Sequence, residues 1–150
     1  MKAVVLYDSA YGNTRTIAEA VASRLGHGAS AVPVDGFDAA ALHSGDLLVV
    51  GSPINGWKPT AKISGTLANL AERGLAGVKA AAFDTRVKAF FHGDAARKMT
   101  RALTAAGASI VGQPMGFYVK GSEGPLVDGE KERAAAWAAD LAASLGTRKP

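Results

Sequence analysis

Cysteine is absent from the 150 residues, which removes disulfides, thiolate metal sites and cysteine nucleophiles together. Histidine is scarce, and His27, His43 and His92 lie far apart in the chain, a poor basis for an imidazole-ligated metal. No apolar run approaches the roughly 20 residues that span a bilayer. The chain passes from Met1 straight into KAVVLY, without the basic and apolar segments of a secretory signal, so the expected setting is the cytoplasm with no membrane contact. Three nucleotide and hydrolase signatures are also missing. There is no GxxxxGK[ST] string, no GxGxxG after the first apolar run and no GxSxG elbow. The formal charge is +4 and the pI is about 9.5. The basic residues are spread along the chain, with small clusters at Arg97, Lys98 and Arg101 and at Arg148 and Lys149. Neither cluster is interleaved with aromatics, so solvated surface is expected there and nucleic-acid binding is not.

What is present begins at the N-terminus. KAVVLY is short, apolar and β-branched, and Ile17, Ala18, Val21, Ala22 and Leu25 recur at helical spacing. Between them lies DSAYGNT, Asp8 to Thr14, a hydroxyl-rich turn with Gly12 at the bend. The N-terminus of a helix leaves backbone N–H groups unpaired and carries the positive end of the dipole, so a phosphate fits there. Asn13 or Thr14 as a plain helix cap accounts for one polar residue. Phosphate binding accounts for Ser9, Tyr11, Asn13 and Thr14 together.

The pattern continues as alternation. Strands are expected at Lys2 to Tyr7, Ala29 to Val34, Leu47 to Val50, Val78 to Phe83 and Ser109 to Gly112, the last resuming at Phe117 to Val119. Helical periodicity occupies Ala61 to Arg73, Asp94 to Ala106 and Gly129 to Leu145, and a weaker helix is expected near Phe37. Strands that are apolar on both faces and alternate with helices predict a doubly wound α/β domain with a parallel sheet. A length of 150 residues predicts one domain over residues 1–150. In such a sheet ligands bind beyond the carboxyl ends of the strands, where strand order reverses. The loops after the first, third and fourth strands are therefore the ones to inspect.

After the third strand comes GSPINGWKP, Gly51 to Pro59. Its Trp57 either folds back under the following helix or stacks on a ligand. After the fourth comes DTRVKAFFHG, Asp84 to Gly93, whose Phe90 and Phe91 either staple the next helix or line a flat slot.

Together the three loops resemble those of the flavodoxin family, and the resemblance runs through essentially the whole chain. DSAYGNT is similar to the family's phosphate loop, GSPINGW to its flavin-edge loop, and DTRVKAFFHGD stands where its third loop stands. The resemblance implies a five-stranded parallel sheet of order 2-1-3-4-5 and flavin mononucleotide (FMN) as cofactor. It places Ser9, Ala10, Tyr11, Gly12, Asn13 and Thr14 on the phosphate. Pro53, Ile54, Asn55, Gly56 and Trp57 would line the ribityl chain and ring, and Asp84, Thr85, Arg86 and Phe90 or Phe91 would form the opposite wall. The organic chemistry would be the flavin's.

The chain departs from the family's pattern at Tyr11, where Thr or Ser is usual. It also departs at Lys58, Arg86 and Lys88, which replace an acidic surround and would favour a negatively charged reduced flavin. The expected function is electron transfer between redox partner proteins, acidic ones included, by a monomer or weak homodimer. The alternatives are an FMN-dependent NAD(P)H oxidoreductase and a flavodoxin-like module that has lost flavin. Two other enzymes of this architecture are excluded. A receiver domain needs an aspartate where Val49, Val50 and Gly51 stand, and the small tyrosine phosphatases need a cysteine.

Overall fold

The computed structural model describes residues 2–55, 57–88, 94–121 and 123–146. The elements follow in the order β1 (Ala3–Tyr7), α1 (Asn13–Leu25), β2 (Ala29–Pro33), β3 (Leu47–Pro53), α2 (Ala61–Arg73), β4 (Lys79–Val87), α3 (Ala95–Ala105), β5 (Ser109–Ile110), β6 (Met115–Val119) and α4 (Glu130–Gly146). All strands pair in parallel in the order β2-β1-β3-β4-β5, and β6 also lies on β4. β5 pairs with the start of β4 at Lys79 and Ala80, and β6 with its end from Phe83 to Val87. The two segments thus share the fifth position of a doubly wound sheet, interrupted where Gly112 takes φ 69° against Leu141 of α4.

Both faces of the sheet are covered. Val5, Val49, Ala81 and Phe83 pack against Ile17 and Val21 of α1 and Trp137 and Leu141 of α4. Residues one step away, Val4, Leu6, Leu48 and Val50, meet Ile63, Leu67 and Leu70 of α2 and Met99 and Leu103 of α3. Alternate side chains of a strand point to opposite faces, so a strand buried on both must be apolar throughout, as VVL and LLVV are. Phe83, Phe117 and Trp137 form an edge-to-face trio with centroids 5.8, 5.9 and 6.0 Å apart. The Trp137 indole N–H is satisfied by the carbonyl of Gln113 at 3.0 Å.

Two expectations change. In place of a helix near Phe37 there are two short 3-10 turns, Val34–Gly36 and Ala39–Ala41. Pro33 precedes the first, and the Asp38 carboxylate takes the Ala40 N–H in the second, a local bond that competes with a continuous helix. The other change is length. β3 runs on to Pro53 and β4 to Val87, because Ser52 and Pro53 register with Asp84 and Thr85 and β6 pairs the remainder. Asp84, Thr85 and Arg86 therefore belong to a strand and not to a loop.

Candidate functional site

A cleft of about 270 Å³ opens beyond the carboxyl ends of β1, β3 and β4. One wall is Ser9, Ala10, Tyr11, Asn13 and Thr14; the other is Pro53, Ile54, Asn55 and Thr60, with Thr85 between them. Nine residues anticipated from three separate stretches of sequence thus meet around one hollow, and Thr60 joins them. It had its own signal, a threonine directly before an apolar helical run: it caps α2, its hydroxyl accepting from Ile63 N–H at 3.3 Å.

The α1 end of the cleft is arranged unusually. The residue at the cap position is Gly12, with φ 88°, which has no side chain of its own to cap the helix. Neither Asn13 nor Thr14 is the plain cap considered above. A Cβ at Gly12 would meet nothing within 4 Å, so the positive φ, not crowding, is what calls for glycine. Gly12 itself faces a neighbouring hollow that it shares with Asp8, Arg15 and Asp35. The Ser9 hydroxyl accepts from the N–H groups of Gly12 at 3.0 Å and Arg15 at 3.3 Å. A hydroxyl has two acceptor sites and one donor, so Ser9 keeps its O–H to give. Thr14 is buried, and its hydroxyl bonds that of Thr85 at 2.8 Å, fastening α1 to β4 at the cleft floor. The Asn13 amide donates to the carbonyl of Glu123 at 3.2 Å. Tyr11 is 60% exposed at the rim.

The second wall ends in a hairpin turn. Asn55 N–H donates to Lys58 O at 2.7 Å, and Lys58 N–H returns to Asn55 O at 3.3 Å. Trp57, at the turn, is 55% exposed and has φ 72°, a conformation costly for a bulky residue. It does not fold under α2. The ammonium group of Lys98 on α3 donates to its carbonyl at 3.0 Å. Gly56, Phe90 and Phe91 lie outside the described residues.

Strand alternation separates the three expected wall residues of β4. Thr85 faces α1 and the cleft. Asp84 and Arg86 face α3, and the structure does not bring them to the cleft. The Asp84 carboxylate is fully buried; it accepts from Arg86 at 2.7 and 2.6 Å and from the Ala96 N–H at 2.9 Å. Burial pushes its carboxyl above the usual range, against the pull of Arg86 and the Ala96 N–H. Burial works against the Arg86 charge as well, but Asp84 and Asp94 outweigh it and hold the guanidinium protonated. Arg86 is thus compensated by two carboxylates, and of the three cations expected to act on a flavin, Lys58 is the one beside the cleft. Lys88 lies over the Tyr118 ring at 5.7 Å.

Among the described residues no carboxylate, lysine, arginine or histidine lines the cleft. Among the described residues no three histidine or acidic side chains converge on a metal site. Hydroxyls, two amides and the start of a helix suit a neutral-walled cradle for an anion. They do not form an acid–base or nucleophilic set.

Residues 5–137 match the sequence pattern of the flavodoxin family. No curated protein matches the chain. Among solved structures, a flavodoxin from the domain Archaea is similar with a TM-score of 0.83 and 19% identity over 97% of this chain and 99% of that one. Oxidised Flavodoxin 1 from Bacillus cereus gives 0.81 and 19% over 100% of both. Rubredoxin oxygen:oxidoreductase from Desulfovibrio gigas gives 0.79 and 19%, this chain covering 36% of its length.

Proposed function

Because the chain belongs to the flavodoxin family, we propose that it binds FMN in the cleft and carries electrons between redox partner proteins. The observation that carries this reading is the start of α1. A helix N-terminus whose cap residue is a glycine opens beside a hollow that, among the described residues, is lined by hydroxyls and amides and by no charged side chain, which suits a phosphate dianion. Ser9, Tyr11, Asn13 and Thr14 supply hydroxyl and amide donors there, together with the backbone N–H groups of the first helical turn. The cleft is at the small end for organic ligands. The flat part of the cofactor is assigned to its rim, where Tyr11 and Trp57 expose aromatic faces. When bound, FMN supplies one- and two-electron redox chemistry. The protein's part is to hold it, exclude water from one side and set its electrostatic surroundings.

Asp84 and Arg86 support β4 and α3 and are not assigned to the cofactor. The wall opposite the phosphate is Thr85 together with the segment Pro53 to Asn55 and Thr60.

The test is reconstitution. Titrating the protein into FMN should quench flavin fluorescence to a sharp one-to-one endpoint, and the complex should be yellow with two visible bands. A colourless protein that leaves flavin emission unchanged overturns the reading in favour of a flavin-free module. Mixing the complex with NADH or NADPH should give no sustained oxidation; turnover would instead make it an FMN-dependent oxidoreductase.

A further inference from the structure

Over the whole chain the basic residues look dispersed, but one stretch of it is enriched in them. Between Leu47 and Val111 there are nine basic and three acidic residues, while the rest of the chain holds eight basic and ten acidic ones. That stretch builds α2 and α3, the layer on one face of the sheet. An apolar groove of about 480 Å³ runs between these two helices. Leu67, Ala68 and Ala71 form one side, Met99, Ala102 and Ala105 the other, and Lys58 and Lys98 stand at its margin. Small side chains keep the groove open, and most of its surface is carbon.

The groove has two further properties. Its cations are not neutralised: among the described residues neither Lys58 nor Lys98 pairs with a carboxylate, and Lys98 spends one N–H on the neutral carbonyl of Trp57. α3 contains no acidic residue at all. The groove also neighbours the cleft along the chain: Asn55 and Thr60 line the cleft, Lys58 and Pro59 the groove. The exposed Trp57, whose carbonyl accepts from Lys98, lies in the same turn.

We propose that this groove docks an amphipathic helix of an acidic electron-transfer partner, its apolar side chains seated between α2 and α3 and its carboxylates facing Lys58 and Lys98. An apolar trough between two helices accepts a third helix by its i, i+4 and i+7 anchors. The flanking cations select an acidic helix over a basic one and speed its approach. Seated there, the partner lies against the Trp57 turn, beside the site assigned to the cofactor. The purpose of docking rests on the electron-carrier reading, but the contacts do not.

The probe is a synthetic helical peptide with leucines at i, i+4 and i+7 on one face and glutamates on both flanks, titrated into the methyl-labelled full chain with and without FMN. Methyl resonances of Leu67, Ala68, Met99 and Ala102 should shift, and affinity should fall as salt rises. Lys98→Glu should weaken binding about tenfold, one opposed pair becoming a like-charge pair. Ala71→Trp, on the exposed side of α2, should block it while thermal melting and FMN titration stay as in the parent. A lysine-for-glutamate peptide should not bind. Shifts outside the groove, equal binding by the two peptides, or binding indifferent to both substitutions would overturn the proposal. So would methyl shifts that depend on protein concentration alone, which would assign the groove to a second copy of this chain. Peptide binding without FMN binding would sink the electron-carrier reading and leave the docking surface standing; FMN binding without peptide binding would do the reverse.

Discussion

At the scale of single residues, two backbone angles carry most of the site. Gly12 has φ 88° at the head of α1, where a β-branched side chain costs about 1–3 kcal/mol. Gly12→Val should lower FMN affinity at least tenfold, roughly the 1.4 kcal/mol that a factor of ten represents, and Gly12→Asn, which tolerates that region, should lose less. Flavin fluorescence titration reads both, and an unchanged Gly12→Val would remove the helix start from the phosphate site. Trp57 is the opposite case: a bulky residue held at φ 72° with its indole exposed. Strain of this kind in the absence of packing points to a ligand as the gain. Trp57→Gly should therefore leave the thermal stability of the apoprotein unchanged or raised, while FMN affinity falls about tenfold, as expected for an aromatic contact of about 0.5–1.5 kcal/mol plus the area it buries. A stability loss beyond about 1 kcal/mol would show that Trp57 holds the fold and not the ligand.

Between elements, one contact holds the cleft floor and another sets the packing of the core. The Thr14–Thr85 hydroxyl pair joins α1 to β4 at 2.8 Å in a buried position. Thr85→Val preserves shape but strands the Thr14 hydroxyl, which should cost about 1–3 kcal/mol in a denaturant melt. It should also loosen FMN, because the helix start is no longer tied to the cleft floor. On the next strand, Gly51 registers with Phe83, and a Cβ there would lie 2.1 Å from the ring. That close approach lets Phe83 reach Phe117 and Trp137. Gly51→Ala should destabilise by about 1–3 kcal/mol through overpacking, with a change in near-ultraviolet dichroism as the aromatic trio shifts. An alanine variant with parent-like stability and spectrum would mean the trio tolerates another packing.

For the molecule as a whole, charge placement decides both pH response and partner choice. Burial opposes the Asp46 carboxylate, but N–H groups of His43 and Lys2 hold its pKa below the usual value. Asp94 is lowered in the same way, with burial outweighed by the Arg97 N–H and side chain and by Arg86. A depressed carboxylate stabilises the fold fully above its unfolded pKa of about 4, and that contribution is lost as pH falls through the folded value. Asp84, raised by burial, has the opposite sign. Denaturant midpoints should therefore hold at neutral pH and fall below about pH 4, and Asp46→Asn should lower the neutral plateau and flatten the acid fall. An Asp46→Asn protein with the parent's pH profile would show that these bonds do not couple to folding. The same view explains why the basic stretch that holds α2 and α3 is hidden in the total charge: eight further basic residues are outnumbered by ten acidic ones elsewhere in the chain.

Sequence alone determined the strand–helix alternation, the parallel sheet and the meeting of DSAYGNT with the Pro53–Asn55 segment. Hydrophobic periodicity is a local property, and the place where a doubly wound sheet binds ligands follows from strand order. It did not reveal that Asp84 and Arg86 turn away from the cleft while Thr85 turns toward it. Their facing depends on β4 continuing through them, and that continuation comes from pairing with β3 and β6, contacts distant in the chain. Nor did it show that the segment near Phe37 forms two 3-10 turns, that Gly12 and not a polar neighbour takes the cap position, or that dispersed lysines border a groove. Each of these depends on which surfaces come together in space, and only the packed tertiary structure decides that.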